Sequence, residues 1–265
     1  MTPSFLTEPF LQNPTEEGVT VTWLTTTSGS SHVVEWGEGE RAVAETSPFA
    51  SFPGAWQHSA LVKVNHRVPY RVISEGQATR FYTLAPAPKP GQPLKILLFS
   101  WQPMLAANLQ KAVEIVGRFD AVLLAGPLPI TPRDLWSDSR AFFPCLQGTA
   151  EGPIDGTMYE GGEILQHAPL FAPPNPLFDP FRGRFGPLEI DLPFLTLRQH
   201  FQLELQSGPL WSRSATALSL ANLNPCTTVF SVLDTAEGVL ESYAYDCSQP
   251  SQDPLCFDTF SRSPK

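Results

Sequence analysis

Charge is scarce in this sequence: Asp, Glu, Lys and Arg make up 16% of 265 residues, and 26 acids outnumber 17 bases for a formal net charge of −9. There is no basic field to gather a polyanion and no polybasic tract to hold an anionic membrane, so neither nucleic acid nor membrane is an expected partner. Long apolar runs are missing too, and no stretch is of a length to cross a bilayer. The opening MTPSFLTEPFLQNPTEEG lacks the basic segment and apolar stretch of an export signal. As written, the chain is expected to be cytoplasmic, or periplasmic or secreted if a signal has been removed. Cys145, Cys226, Cys247 and Cys256 include no CxxC pair and are too few for a disulfide scaffold. Buried free thiols are expected, while Cys247 and Cys256 flank a polar loop and could bridge in an oxidising compartment. No P-loop or GxGxxG pattern is present, and Ser100 does not sit in a nucleophile elbow.

What is present is a hydrophobic share of 42%, enough for one large core or two smaller ones. In GVTVTWLT, Val19, Val21 and Trp23 fall on one face of an extended segment, and the same period of two recurs in HVVEW, ALVKV, YRVI and FYTL. Short strands separated by Gly, Pro and Ser predict an all-β sandwich. APAPKPGQP then has too much proline to donate ladder hydrogen bonds, and predicts a stiff linker. Beyond it the pattern changes. LKILLFS and DAVLLAG are continuous apolar runs suited to strands covered on both faces, and between them Leu105, Leu109, Ala112, Val113 and Val116 recur at helical spacing. A strand–helix–strand unit with parallel strands is expected over 94–126. From Pro127 to about Arg198 the pattern fades, with a short helix expected around EILQHAPLF; late in the chain FQLEL, TTVFSVLD and GVLESYAYD predict strands, the last two as a hairpin.

The segments PFLQNPTEEGVTVTWLT, VEWGE, HSALVKVNHRVPYRVIS and RFYTLAP together resemble the fibronectin-III-like N-terminal domain of purple acid phosphatases. PLKILLFS, NLQKAVEIVGRFDAVLLAG, AFFPCLQG, GGEILQHAPLF and PLWSR follow in the same order as the phosphatase core of bacterial, cyanobacterial-type members of that family, within the calcineurin-like metallophosphoesterases. The resemblance implies an α+β two-domain protein. A fibronectin-III-like sandwich would span 5–86, a proline-rich linker 87–93, and an abbreviated α/β metallophosphoesterase core 94–262, shortened between about 176 and 205. It also implies phosphoric monoester hydrolysis at a dinuclear metal centre of Fe with Fe, Zn or Mn, held at the carboxyl ends of parallel strands.

Carried over residue by residue, that site is degenerate. The aspartate expected after the first core strand has become Trp101, whose indole nitrogen only donates, or has been deleted. The Gly-Asp after the second strand is Gly126 followed by Pro127. The Gly-Asn-His-Glu motif aligns with Pro174, Asn175, Pro176 and Leu177, and the Gly-His-x-His motif with Gln206, Ser207, Gly208 and Pro209, anchored by Leu210, Trp211 and Arg213. Asn175 is the one aligned survivor, and in PPNPLFDP it equally suits a turn. Arg213 could bond a phosphate bidentately. Asp134, Asp138, Asp155 and His167 could form a replacement site, although their spacing is not diagnostic and solvated side chains or caps are the plainer expectation. No catalytic residue and no cofactor is therefore predicted for this copy. The expected function is a metallophosphoesterase-family protein impaired or inactive in hydrolysis; the alternative is a non-catalytic module that binds a protein or glycan partner through its sandwich.

Overall fold

The computed structural model describes residues 5–49, 52–87, 95–99, 105–124, 131, 133–154, 157–171, 227–234, 239–246 and 255–261. Strand dominates over helix. The chain begins with β1 (Phe10–Thr15), β2 (Gly18–Thr25), β3 (His32–Trp36), β4 (Glu40–Val43), β5 (Glu45–Pro48), β6 (Trp56–Lys63), β7 (Val68–Ser74), β8 (Gln77–Ala78) and β9 (Tyr82–Leu84). These form two sheets, one ordered β1-β2-β6-β5 and the other β4-β3-β7-β8, with β9 also on β7.

The alternation read in the sequence is what closes the two sheets on each other. Leu11, Val19, Val21, Trp23 and Val62 of the first sheet pack with Val34, Tyr70, Val72, Tyr82 and Leu84 of the second. Val19, Val21 and Trp23 are fully buried, as their shared face requires, and the Trp23 indole nitrogen donates to Ser74 Oγ at 2.8 Å.

The two outward faces differ. On the second sheet Glu35 sits between Arg41 of β4 and Arg71 of β7, its cross-strand partners, and accepts from both guanidinium groups. The hydrogen bonds from Arg41 and then Arg71 hold its carboxyl below the usual carboxylate range. On the first sheet outward residues of β1 and β2 are buried as well, while Leu61 of β6 and the whole of β5 stay exposed. Phe10 enters the core of the rest of the protein, 5.0 Å from the Phe143 ring, and Leu24 packs with Phe49, Ala55, Phe52 and Trp136.

The second region carries β10 (Lys95–Phe99), α1 (Leu105–Val116), β11 (Ala121–Leu124), a π-helical turn (Arg133–Ser137), α2 (Phe142–Gln147), β12 (Gly152–Ile154), β13 (Thr157–Tyr159), β14 (Leu170–Phe171), β15 (Thr227–Asp234), β16 (Val239–Asp246) and β17 (Leu255–Ser261). The strand–helix–strand expectation holds within the described residues: β10 and β11 are parallel, joined through α1, which buries Ala106, Ala107, Leu109 and Ala112. The sheet around them is mixed rather than parallel throughout. Its order is β14-β11-β10-β15-β16-β17, with β14 parallel to β11 and β15 antiparallel to β10. The hairpin expected of TTVFSVLD and GVLESYAYD is β15 and β16, and β17 adds an antiparallel strand that the sequence pattern did not announce.

The expected helix around EILQHAPLF is corrected. Ile164 to Ala168 form a turn, with the His167 and Ala168 amides bonded to Ile164 O, and Leu170–Phe171 is a strand. Pro169 opposes a longer helix there, because it disfavours a helical backbone at Ala168; the first-turn amides of Ile164 and Leu165 donate to Leu146 O. The helix in this stretch is α2, and its proline sits in the first turn, where no backbone donor is needed. It ends at Gly148, which takes φ 68° and donates to Pro144 O. The proline-rich stretch 88–94 and the FQLEL segment lie outside the described residues.

Candidate functional site

The parallel strands β10, β11 and β14 end at Phe99, Leu124 and Phe171, and the carboxyl ends of such strands are where an open α/β sheet receives a ligand. Trp101, Pro127, Asn175, Pro176, Ser207, Pro209 and Arg213 all follow these strands in sequence and lie outside the described residues, as does Asp155.

Three of the residues weighed as a replacement site are described, and each is engaged locally. Asp134 accepts from Thr131 Oγ1 at 2.6 Å at the start of the π-helical turn. Asp138 accepts the Arg140 amide at 2.9 Å, with Arg133 Nε 3.7 Å away. His167 belongs to the seam between the sandwich and the second region: the Thr83 amide reaches its Nδ1 at 3.2 Å, and its Nε2 lies 3.8 Å from Glu163. Burial leads in holding this imidazole below the ordinary histidine range. Among the described residues, no group of three or more His, Cys, Asp or Glu is placed to hold a metal ion. Cys145 is buried, and burial raises its thiol to about 12, so it is no nucleophile at neutral pH.

The seam itself is polar and bonded at most of its groups, with the buried Gln166 Oε1 left without a partner. Gln147 accepts the Glu8 amide at 3.0 Å and donates to Glu8 O at 2.7 Å; Tyr70 donates to Gln166 O at 2.8 Å, and Tyr82 to Glu8 at 2.9 Å. Arg80 pairs with Glu163 across it. Burial raises Tyr82 to about 12, so it stays a donor. These contacts fix two bodies against each other, and each group is occupied in doing so.

A separate groove opens at one end of the sandwich, about 600 Å³ in volume. Three connections build it: Glu16 and Glu17 between β1 and β2, Trp36 to Glu40 between β3 and β4, and Lys63 to Val68 between β6 and β7. Backbone bonds tie these connections together, from Val64 N to Glu17 O and from Gly37 N to Pro69 O, both 3.0 Å. Gly37 takes φ 58°, and a side chain there would strike the Glu40 carboxylate, which caps the Glu38 amide at 2.9 Å. Glu16, Glu17, Glu38 and Glu40 thus line the same groove as Lys63, His66, Asn65 and the partly buried Trp36. In the sequence VEWGE stood only as one segment of the family resemblance, because the two glutamates at 16 and 17 are brought to it by tertiary contact.

No family model and no curated protein matches the sequence. Among solved structures, a structure of PhoD is similar over 46% of this chain and 27% of that chain, with 14% identity and a TM-score of 0.33. This chain thus spans about a quarter of that protein's length, and a likeness of this degree carries no argument about activity. Among the described residues, no helix is long and apolar enough to cross a membrane.

Proposed function

We propose that this chain is a purple acid phosphatase-type member of the metallophosphoesterases that has lost phosphate ester hydrolysis. Its parts are a fibronectin-III-like sandwich (5–86), a linker (87–93) and an abbreviated α/β core (94–262). One observation carries the reading: β10 and β11 are parallel neighbours, and the sequence just past their ends holds Trp101 and Pro127 where the family's carboxylates belong.

Hydrolysis of a phosphate ester in that family needs two cations, one to make hydroxide available near neutral pH and both to offset charge on the phosphoryl oxygens. Two ions held close together repel, and anionic ligands must offset that repulsion. Trp101 can only donate, Pro127, Pro176 and Pro209 have no side-chain donor atom, and Ser207 stands in place of an imidazole. Asn175 and Ser207 contribute neutral oxygens only, with no carboxylate or imidazole beside them. This donor set does not fit a dinuclear centre. Arg213 would leave phosphate binding without turnover.

Elemental analysis of the purified protein, with assay on a chromogenic phosphomonoester, tests the proposal. Expected are no stoichiometric pair of iron, zinc or manganese ions and hydrolysis at background, unchanged in a Trp101→Asp, Pro127→Asp double variant because the histidines are still missing. About two tightly bound ions per chain, with hydrolysis abolished by a chelator, overturn it.

The sandwich groove favours a second reading, a non-catalytic module for a protein or glycan partner. An aromatic face beside carboxylates and an asparagine offers stacking together with hydrogen-bond acceptors. Binding to an immobilised glycan or peptide panel that is lost in Trp36→Ala supports it, and binding unaffected by Trp36→Ala removes the groove from consideration.

A further inference from the structure

His32 and His58 come from opposite sheets of the sandwich, β3 and β6, and their rings stack inside it with centroids 3.7 Å apart and planes 21° apart. His58 is fully buried and His32 is 4% exposed. Every ring nitrogen has a partner, and the partners determine where the protons sit. His32 Nε2 lies 2.6 Å from Ser28 O, a carbonyl that can only accept, so Nε2 carries the hydrogen. Its Nδ1 is then the acceptor for Ser74 Oγ at 3.0 Å, and that oxygen in turn accepts the Trp23 indole N–H. Thr25 spends its hydroxyl hydrogen on Thr27 O, so it accepts from His58 Nε2 at 2.8 Å. Thr46 completes the chain by donating to His58 Nδ1 at 2.9 Å.

The network is complete when both imidazoles are neutral. A proton added to His32 Nδ1 turns the Ser74 bond around and orphans the serine hydrogen, because Ser74 Oγ already accepts from Trp23. A proton on each ring sets two like charges in van der Waals contact away from water. From β2 the pair faces Trp23 and Thr25, from β5 Thr46, and from β7 Ser74. Among the described residues the charged group that interacts with it is Glu75, whose carboxylate is held by the Ser30 and Ser31 amides.

We propose that the stacked His32–His58 pair is an acid-sensitive clasp between the two sheets, closed while both rings are neutral and opened when His58 takes up a proton. Desolvation first, and the neighbouring His32 second, hold His58 down to about 4. In an opened state with ordinary histidine titration near ~6.5, protons bind the open form more readily than the closed one. The clasp is therefore fully closed above that range and weakens as pH falls from about 6.5 toward 4. The opening constant should rise by up to about tenfold per pH unit across this window, since one proton is taken up on opening at His58.

Amide hydrogen exchange of the full chain, corrected for intrinsic rates, reads this directly. Expected is a more than tenfold rise in exchange for β2, β3 and β6 between pH 7 and pH 5 in the wild type, with a clearly flatter profile in His58→Gln. An imidazole NMR titration of the wild type covers the case in which that variant fails to fold. It should show both rings as Nε2–H tautomers at pH 7 and proton uptake at His58 accompanied by faster exchange. Wild-type exchange that does not change with pH, identical profiles in wild type and His58→Gln, or uptake at His58 near pH 6.5 with the amides still protected each overturn the clasp.

Discussion

The two outer faces of the sandwich make an instructive contrast. Behind β3 and β7 is water, and the surface there is a ladder of Glu35 between two arginines. Behind β1 and β2 lies the second region, and the equivalent positions hold Phe10 and Leu24, buried against Phe143 and Trp136. A sheet with one wet face could in principle fold by itself. This one has a second apolar face to cover. The sandwich is thus finished by the region that follows it, through Phe10, the Leu11 amide bonded to Leu165 O at 3.0 Å, and the Gln147 clamp on Glu8.

The largest expected effect lies on the inner face. Trp23→Ala should cost roughly 3–5 kcal/mol, as other buried aromatic truncations do, and it also orphans Ser74 as an acceptor. Denaturant unfolding measures it, and an unchanged midpoint would mean that the inner face has been misassigned. Phe10→Ala should come next, at about 3 kcal/mol, and here the shape of the transition matters as much as its size. If the covered face couples the two regions, sandwich and second region lose structure together in the wild type, and the variant separates them into two transitions. A single unsplit transition in both proteins would break the comparison.

Gln147→Ala leaves the Glu8 amide and carbonyl without their side-chain partner at a buried site and should cost about 2 kcal/mol. Gln147→Glu sets an anionic oxygen against Glu8 O at a buried site and should cost at least as much. The smallest effect is expected at Arg80, which is largely exposed. Arg80→Ala should change stability by less than about 1 kcal/mol, and less still in high salt, because ion pairs in water gain little. A larger loss would mean that the Arg80–Glu163 pair holds the seam, a role assigned here to its apolar and amide contacts.

Much of this was legible in the residues. Period-two alternation marked β2, β3, β6, β7 and β9, because one face of each points into a shared core, and the continuous apolar runs marked β10 and β11, because both their faces are covered. Elements without a period were not legible. The π-helical turn, α2 and the β12–β13 hairpin are short and set by local proline and glycine, and β14 is two residues added to the edge of an existing sheet. A short helix was expected around His167, but Pro169 confines the segment to a turn.

The candidate site divides the same way. Sequence alone determined which residue types stand after the core strands: an indole and a proline ring offer a metal ion no side-chain lone pair, wherever the backbone takes them. Only the tertiary structure decided what faces what. It joined Glu16 and Glu17 to Trp36 across three connections, covered the outer face of β2, and stacked His32 on His58 from positions far apart in the chain. Ligand capacity is a property of a single side chain and can be read one residue at a time, whereas burial, stacking and the placing of protons belong to pairs that meet only when the chain folds.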